Sequence, residues 1–307
     1  MKNYYRIMLG KKSTLAPECI NGHYIGAGFG INQDLTGLLP EEWREFNHAF
    51  IPIYQQAYPD KSKIAAGLSC GFLWTVSKGI VRGDIVLCPD GTGVYRVGEV
   101  IGDYYYVPGT DLPHRREVRW LDGGIPRSVM SEALKRSAGS IGTVSDISSY
   151  AEEIERLAGG TTAQPPPPPS PVEDLASFAL EKHLEDFLVQ NWAQTELGRD
   201  YDIYTEDGEK VGQQYPSDSG PMDILAIRKD KKELLVVELK RGRASDVVVG
   251  QVLRYMGYVS QELAEEGQTV RGVIIAQEDD SKLRRALAVS PNISFYRYQV
   301  SFKLQKV

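Results

Sequence analysis

The sequence contains few cysteines and histidines, and it has no long apolar run. Three cysteines (Cys19, Cys70 and Cys88) and four histidines occur in 307 residues. They are too few and too scattered for a disulfide framework or a structural zinc site. No stretch of about twenty apolar residues is present, so we expect no membrane-spanning helix. Because the polar start of the chain lacks the apolar core of a signal peptide, we expect a protein of the reducing cytoplasm.

Basic residues are also in deficit. The chain has 35 lysines and arginines against 41 aspartates and glutamates, which gives a net charge of −6. This balance argues against a protein that binds polyanions non-specifically. It does not exclude a nuclease, since carboxylates can gather at a metal site while basic residues line a nucleic-acid groove.

Signatures of nucleotide hydrolysis and of serine hydrolases are absent too. The sequence has no Gly-Lys-Ser/Thr phosphate loop, and no helix with nucleotide-binding spacing follows the glycine-rich segment 26–30. The sequence has only four histidines, and none of them stands in a convincing Ser-His-Asp catalytic triad pattern. We therefore expect no nucleoside triphosphate as a partner.

The clearest boundary in the chain is a proline-rich segment. Residues 165–169 are five consecutive prolines, which favour an extended, semi-rigid polyproline spacer and exclude a helix or a central strand. The sequence thus predicts a domain at 1–158, a linker at 159–172 and a second domain at 173–307.

Both domains are predicted to mix helices and strands, which places the chain in the α/β class. In the first domain, two apolar helical patterns over 41–58 and 64–80 are followed by short strands between Gly-Asp and Asp-Gly turns. This pattern predicts an α+β domain with a small bent sheet or barrel. The second domain reads as helix, strands, helix, strand.

The strongest chemical signal lies in two neighbouring apolar strands of the second domain. Asp223 begins one strand, and Glu238 and Lys240 come near the end of the next. Because strand side chains alternate between faces, Glu238 and Lys240 point the same way while Leu239 points into the core. If the strands form a hairpin, Asp223 reaches the same edge. Two carboxylates and an ammonium can then hold Mg²⁺ and activate water beside a phosphodiester.

Four segments in order resemble the PD-(D/E)xK nuclease superfamily, and more closely the catalytic domain of the NucS/EndoMS endonucleases. They are 181–188 (EKHLEDFL), 220–226 (GPMDILA), 236–242 (VVELKRG) and 251–256 (QVLRYM). The resemblance covers roughly residues 173–300 and implies a restriction-endonuclease-like αβββαβ core. The N-terminal half lacks a visible counterpart of the base-stacking, dimerising module of those enzymes, so the resemblance does not extend to mismatch specificity.

The resemblance also assigns roles. It implies that Asp223, Glu238 and the carbonyl of Leu239 bind Mg²⁺, for which Mn²⁺ can substitute. Lys240 would orient the attacking water or stabilise the transition state, and Gln251 would position water or contact phosphate.

Further residues are left with two interpretations each. Glu181, one turn before Glu185, fits the accessory acidic position of the first helix, although either could be a solvated surface residue. Asp218 is an accessory acid or a turn former. Tyr255 is catalytic or a packing residue. Arg241 and Arg243 either bind the DNA backbone or are solvated charges at the end of a strand.

The first domain loosely resembles modules found beside nucleases in restriction systems of the Mrr and McrB sort. The resemblance lies in 78–88, 98–106 and 114–121 and implies the sensing of DNA, including modified bases. Candidate stacking residues and phosphate contacts there can equally be core and surface residues. They are Trp74, Trp120, Arg115, Arg116 and Arg119.

Together these observations predict a metal-dependent DNA endonuclease that acts in restriction of foreign or modified DNA, with a homodimer for double-strand cuts. A repair nuclease for mismatched, flap or single-stranded DNA and a DNA sensor that does not cleave are the alternatives.

Overall fold

The computed structural model of the chain describes residues 2–139, 142–159, 184–206 and 208–299. The chain divides into two compact units, Met1–Pro167 and Pro168–Val307. The proline-rich linker lies outside the described residues. The domain boundaries 1–158, 159–172 and 173–307 stay a prediction.

The first unit is built on a mixed sheet of seven strands. The strands run in the order β2-β5-β4-β3-β1-β7, with β6 paired to β4, and β1 and β3 are parallel while the other pairs are antiparallel. The sequence allows either a bent sheet or a barrel for this domain. The described strands form an open sheet. The strands are β1 (Tyr4–Ile7), β2 (Tyr24–Ala27), β3 (Ile85–Pro89), β4 (Val94–Tyr106), β5 (His114–Trp120), β6 (Ile125–Pro126) and β7 (Val144–Asp146).

Both faces of this sheet are covered. Val86 and Cys88 pack into one apolar cluster and Ile85 and Leu87 into another, which explains why β3 is apolar throughout instead of alternating. The helices of the unit are α1 (Ala16–Asn21), α2 (Trp43–Ala57), α3 (Lys63–Trp74), α4 (Glu132–Ala138) and α5 (Ala151–Ala158), with a π-helical turn at Thr75–Gly79.

Two details of the first unit differ from the sequence pattern. Segment 103–106 does not form a strand of its own but continues β4, because the register against β5 shifts between Val100 and Tyr104. The amphipathic pattern over 145–157 predicts a single short helix, whereas the structure contains strand β7, a 3₁₀ turn at Ser148–Tyr150 and helix α5 there.

The second unit is built on a mixed sheet of six strands. Its order is β13-β12-β11-β10-β8, with β9 paired to β10; β11, β12 and β13 run parallel and the other pairs antiparallel. The strands are β8 (Tyr201–Ile203), β9 (Gln213–Tyr215), β10 (Met222–Arg228), β11 (Glu233–Arg243), β12 (Thr269–Glu278) and β13 (Ile293–Arg297).

Helices lie against this sheet on two apolar clusters. Helix α6 (184–190) supplies Leu184, Leu188 and Val189 to one cluster, and α8 (Val247–Tyr258) supplies Val248, Val249 and Val252 to the other. The remaining helices are α7 (Leu197–Asp200) and α9 (Ser281–Ala288), and a π-helical turn at Val259–Leu263 extends α8. The mixed α/β class predicted from the sequence is confirmed.

The predicted hairpin of β10 and β11 is present. Ile224 pairs with Val237, so one step further along the antiparallel register Asp223 lies opposite Glu238. Leu239 is buried in the cluster on the α6 side, and strand alternation therefore directs Glu238 and Lys240 to the α8 side. Among the described residues, no helix combines the length and apolarity needed to cross a membrane.

Candidate active site

A cavity of about 340 Å³ lies where β10, β11 and α8 meet. Six of the residues expected at the site from sequence line it: the three charged residues of the two strands, Leu239, and the two polar residues of α8. The described lining consists of Glu185, Gln214, Ser219, Gly220, Pro221, Asp223, Glu238, Leu239, Lys240, Gln251 and Tyr255.

Asp223 is held by contacts on both carboxylate oxygens. Its Oδ2 accepts a hydrogen bond of 2.7 Å from the main-chain N–H of Leu239, and its Oδ1 accepts one of 3.2 Å from Nε2 of Gln214. The N–H and C=O of a strand residue point towards the same neighbouring strand. The carbonyl of Leu239 is thus directed towards the Asp223 strand as well.

Glu238 and Lys240 form an ion pair at the cavity wall. The Nζ of Lys240 lies 2.8 Å from Oε1 of Glu238, and the two side chains are 30% and 3% exposed, respectively. A buried carboxylate is costly without a cation or hydrogen-bond donors. The ammonium offsets that cost and, being partly exposed, also faces the cavity.

Gln251 and Tyr255 lie one turn apart on α8 and contact each other. Nε2 of Gln251 donates to the Tyr255 hydroxyl at 3.2 Å, and that hydroxyl donates to the carbonyl of Pro221 at 3.0 Å. Burial raises the pKa of the Tyr255 phenol; the hydrogen bond from Gln251 lowers it, and the charges of Glu238 and Asp223 raise it. The phenol acts as a hydrogen-bond donor to the carbonyl of Pro221.

Five of the described lining residues were not assigned to the site from sequence, and two of them, Glu185 and Gln214, contact each other. Glu185 is buried and accepts hydrogen bonds from Gln213 and Gln214, so the first helix does bring a carboxylate to the cavity. The favoured candidate on that helix, Glu181, lies outside the described residues. Gln214 gave no signal in the sequence because it belongs to a strand of three residues in a polar segment.

Asp218 does not belong to the described lining of the cavity. It lies exposed in the turn before β10 and accepts a hydrogen bond of 3.1 Å from Ser219. This position agrees with the turn-forming interpretation of Asp218.

Arg241 and Arg243 lie at the end of β11, just past Lys240. The register against β12 shifts between Lys240 and Arg243, and Gly242 adopts a left-handed φ of 70°. Arg243 is exposed and lies 3.3 Å from Glu278.

The arginines and tryptophans singled out in the first unit occupy different environments. Arg116 is buried, and its guanidinium donates to the carbonyls of Val76, Ser77 and Gly102. These hydrogen bonds and the burial favour the core interpretation of Arg116 over a phosphate contact. Arg115 stacks over the ring of Tyr24, with its guanidinium carbon 3.8 Å from the ring centroid.

The other three are partly buried or paired. Arg119 forms an ion pair with Glu99. The indole N–H of Trp74 donates to the carbonyl of Pro40 at 3.0 Å, and Trp120 packs against the larger apolar cluster of its unit. DNA binding by these residues stays a prediction.

The oxygen donors of the cavity fit a hard divalent cation. Among the described residues there is no group of three or more His, Cys, Asp or Glu side chains that could hold a metal ion. The donors are two carboxylates, Asp223 and Glu238, and the carbonyl of Leu239. Because Mg²⁺ prefers oxygen and retains several waters, this set suits an ion shared between protein, water and phosphate.

Comparison with known proteins finds two family matches, each to a part of the chain. Residues 5–148 match a family described as a domain of unknown function, DUF8426, and residues 181–302 match the family described as the endonuclease NucS C-terminal domain. No curated protein matches the chain.

Several solved structures are similar at low identity. An EndoMS-dsDNA2 complex is 16% identical with a TM-score of 0.32, over 70% of this chain and 68% of that chain. A repair endonuclease from Pyrococcus abyssi is 16% identical with a TM-score of 0.31, over 69% and 66%. The MspJI restriction endonuclease with a 27-mer oligonucleotide is 11% identical with a TM-score of 0.25, over 70% and 57%.

The match to the NucS family spans β10, β11, α8 and all of the described cavity residues. The resemblance of the first unit to Mrr and McrB modules stays a prediction, whereas the resemblance of the second unit is confirmed: residues 181–302 form a NucS-like nuclease catalytic domain.

Proposed function

We propose that this chain is a metal-dependent endonuclease that hydrolyses phosphodiester bonds in DNA, with Mg²⁺ as its ion and Mn²⁺ able to substitute. The observation that supports this most is the convergence of Asp223, Glu238 and Lys240 on one cavity of a NucS-like domain. Its biological role is the restriction of foreign or modified DNA.

Asp223, Glu238 and the carbonyl of Leu239 would hold the ion. When bound, Mg²⁺ supplies Lewis-acid polarisation of the phosphate and a lower pKa for water. The N–H of Leu239 holds the Asp223 carboxylate in place. The aspartate side chain would therefore lose little rotamer freedom when the ion binds.

Lys240 and Gln251 act on the substrate side of the cavity. The ammonium of Lys240, anchored on Glu238, donates to the attacking water or to a phosphate oxygen, where it stabilises the charge that develops in the transition state. Gln251, positioned by the Tyr255 hydroxyl, offers an amide to the water or the phosphate.

A cleavage panel tests the proposal. The substrates are modified phage DNA, unmodified plasmid, mismatched duplex and single strands, each with Mg²⁺, Mn²⁺ or EDTA. We expect cleavage of one class in the presence of the ion, and loss of it in Asp223→Ala and Lys240→Ala. Asp202→Ala, an exposed position on β8, and Lys232→Ala, an exposed position beside β11, serve as matched controls.

The family match favours a second candidate, a repair nuclease. Cleavage of mismatched, flap or single-stranded DNA, with matched and modified duplex left intact, would replace the restriction role by repair. Binding of DNA without cleavage under every condition would replace the enzyme by a DNA sensor. The ratio of nicked to linear plasmid measures whether two copies of the chain act together.

A further inference from the structure

Gln214 joins two carboxylates at the edge of the cavity. Its Nε2 donates to Oε2 of Glu185 at 2.5 Å and to Oδ1 of Asp223 at 3.2 Å. The two acids come from different elements, since Glu185 belongs to α6 and Asp223 begins β10. One amide group therefore fixes the position of both.

The backbone of Gln214 is unusual for a residue of this type. Its φ is 51°, a left-handed conformation that residues other than glycine, asparagine and aspartate rarely adopt. In the register of β9 against β10, Met222 pairs with Tyr215 and Ile224 with Gln213. Gln214 therefore lies opposite Asp223, and its left-handed backbone allows the amide to reach α6 as well.

The neighbouring glutamine completes the contacts of Glu185 but does not reach Asp223. Nε2 of Gln213 donates to Oε1 of Glu185 at 2.7 Å and to Oδ1 of Asp186 at 3.2 Å. Both oxygens of the buried Glu185 thus accept a hydrogen bond from a glutamine amide. The bridge to the cavity carboxylate belongs to Gln214.

We propose that Gln214 is a positioning residue that orients Asp223, and draws Glu185 towards it, for binding of the divalent ion. This inference rests on the proposed function. A residue that donates a hydrogen bond to a metal-binding carboxylate sets the orientation of that ligand, and its loss typically weakens metal affinity 10- to 100-fold.

The test measures Mn²⁺ binding to the full chain without DNA, from the electron paramagnetic resonance signal of the free ion. Gln214→Gly removes the amide while relieving the left-handed backbone. We expect at least about a tenfold weaker Mn²⁺ affinity, with a cooperative thermal transition that shows the fold to be retained. Gln214→Asn, which also tolerates this backbone but is too short to span both carboxylates, should lose affinity similarly.

Lys231→Gly is the matched control. Lys231 has a φ of 61°, is exposed, and lies in the turn between β10 and β11, away from the cavity. It relieves a left-handed backbone as Gln214→Gly does, but it should leave Mn²⁺ affinity unchanged.

Two negative outcomes are distinguishable. If both Gln214 variants bind Mn²⁺ as the unaltered chain does, the role of Gln214 is refuted and the proposed nuclease stands. If the unaltered chain neither binds Mn²⁺ nor cleaves DNA, the proposed function fails and the role of Gln214 fails with it.

Discussion

Lys240 lines the cavity and forms an ion pair with a buried carboxylate, that of Glu238. It pairs with Glu238 at 2.8 Å while almost a third of its side chain remains accessible. Its ammonium therefore balances a buried carboxylate and can also meet substrate. A substitution of Lys240 therefore has two measurable effects. Loss of the ion pair lowers stability, whereas loss of the contact with substrate lowers the cleavage rate.

Lys240→Met should lower the single-turnover cleavage rate by at least about 100-fold, since it removes a donor aimed at the developing charge. The free energy of unfolding should fall by about 3 kcal/mol, because the substitution leaves the buried Glu238 carboxylate without its cation. Rapid-quench cleavage and thermal melts measure the two effects, with Lys232→Met as the control. A rate within threefold of the unaltered chain would remove Lys240 from the reaction.

The difference between residues found from sequence and those missed follows from local regularity. Asp223, Glu238 and Lys240 lie on strands whose alternation determines the side-chain direction, and Gln251 faces them from a regular helix. Gln214 lies in a short strand with a left-handed residue, and its side chain crosses to another element. Such a contact depends on tertiary packing and has no periodic signature in the sequence.

At the level of secondary-structure elements, a bulge changes the face that β11 presents. Three steps separate Lys240 from Arg243 on β11, but two separate their partners Ala276 and Glu278 on β12. The extra residue, accommodated by the left-handed Gly242, brings Arg243 to the face of Lys240 and leaves Arg241 on the opposite face.

This geometry predicts different effects for the two arginines on DNA binding. Arg243→Ala should weaken binding and reduce the slope of log Kd against log salt by about 1, as expected for one lost phosphate contact. Arg241→Ala should leave the slope unchanged. Fluorescence anisotropy in EDTA over a salt series measures both. Equal slopes for the two variants would mean that the bulge does not direct Arg243 alone to the face that binds DNA.

The elements of both units could be predicted where the apolar pattern is periodic. The strands β10, β11 and β12 and the helix α8 follow from such patterns. The continuity of β4 through Tyr104 does not, because polar and aromatic residues at a register shift look like a turn followed by a new strand. The pairing of β1 with β3 and β7 joins segments far apart in the chain, which no local pattern encodes.

On the scale of the whole molecule, buried phenols are distributed over both units. Burial is the main cause that raises the pKa of each of four tyrosines to about 12. Nearby carboxylates add to this: Glu155 at one end of the first unit and Glu233 in the second both accept a hydrogen bond from a tyrosine hydroxyl. The four are Tyr4, Tyr5, Tyr104 and Tyr201.

These phenols predict how stability depends on alkaline pH. Their folded pKa lies above the value of about 10 that tyrosine has in an unfolded chain, so the folded state binds more protons between pH 10 and 12. The stability they contribute is fully present below pH 10 and is lost as the pH rises through 12. Thermal midpoints should thus be level from pH 7 to 9 and fall steeply above 10, with phenolate absorbance at 295 nm rising as the circular dichroism signal is lost.

Tyr201→Phe tests one contributor in the nuclease-like unit. The substitution keeps the buried ring and removes the hydroxyl that must ionise. The pH at the midpoint of alkaline unfolding should therefore rise. Tyr58→Phe, at an exposed position, should leave the midpoint in place. Ionisation of all tyrosines near pH 10 with the dichroism signal intact would contradict the prediction, because buried phenols can ionise at that pH only if the structure around them already admits water.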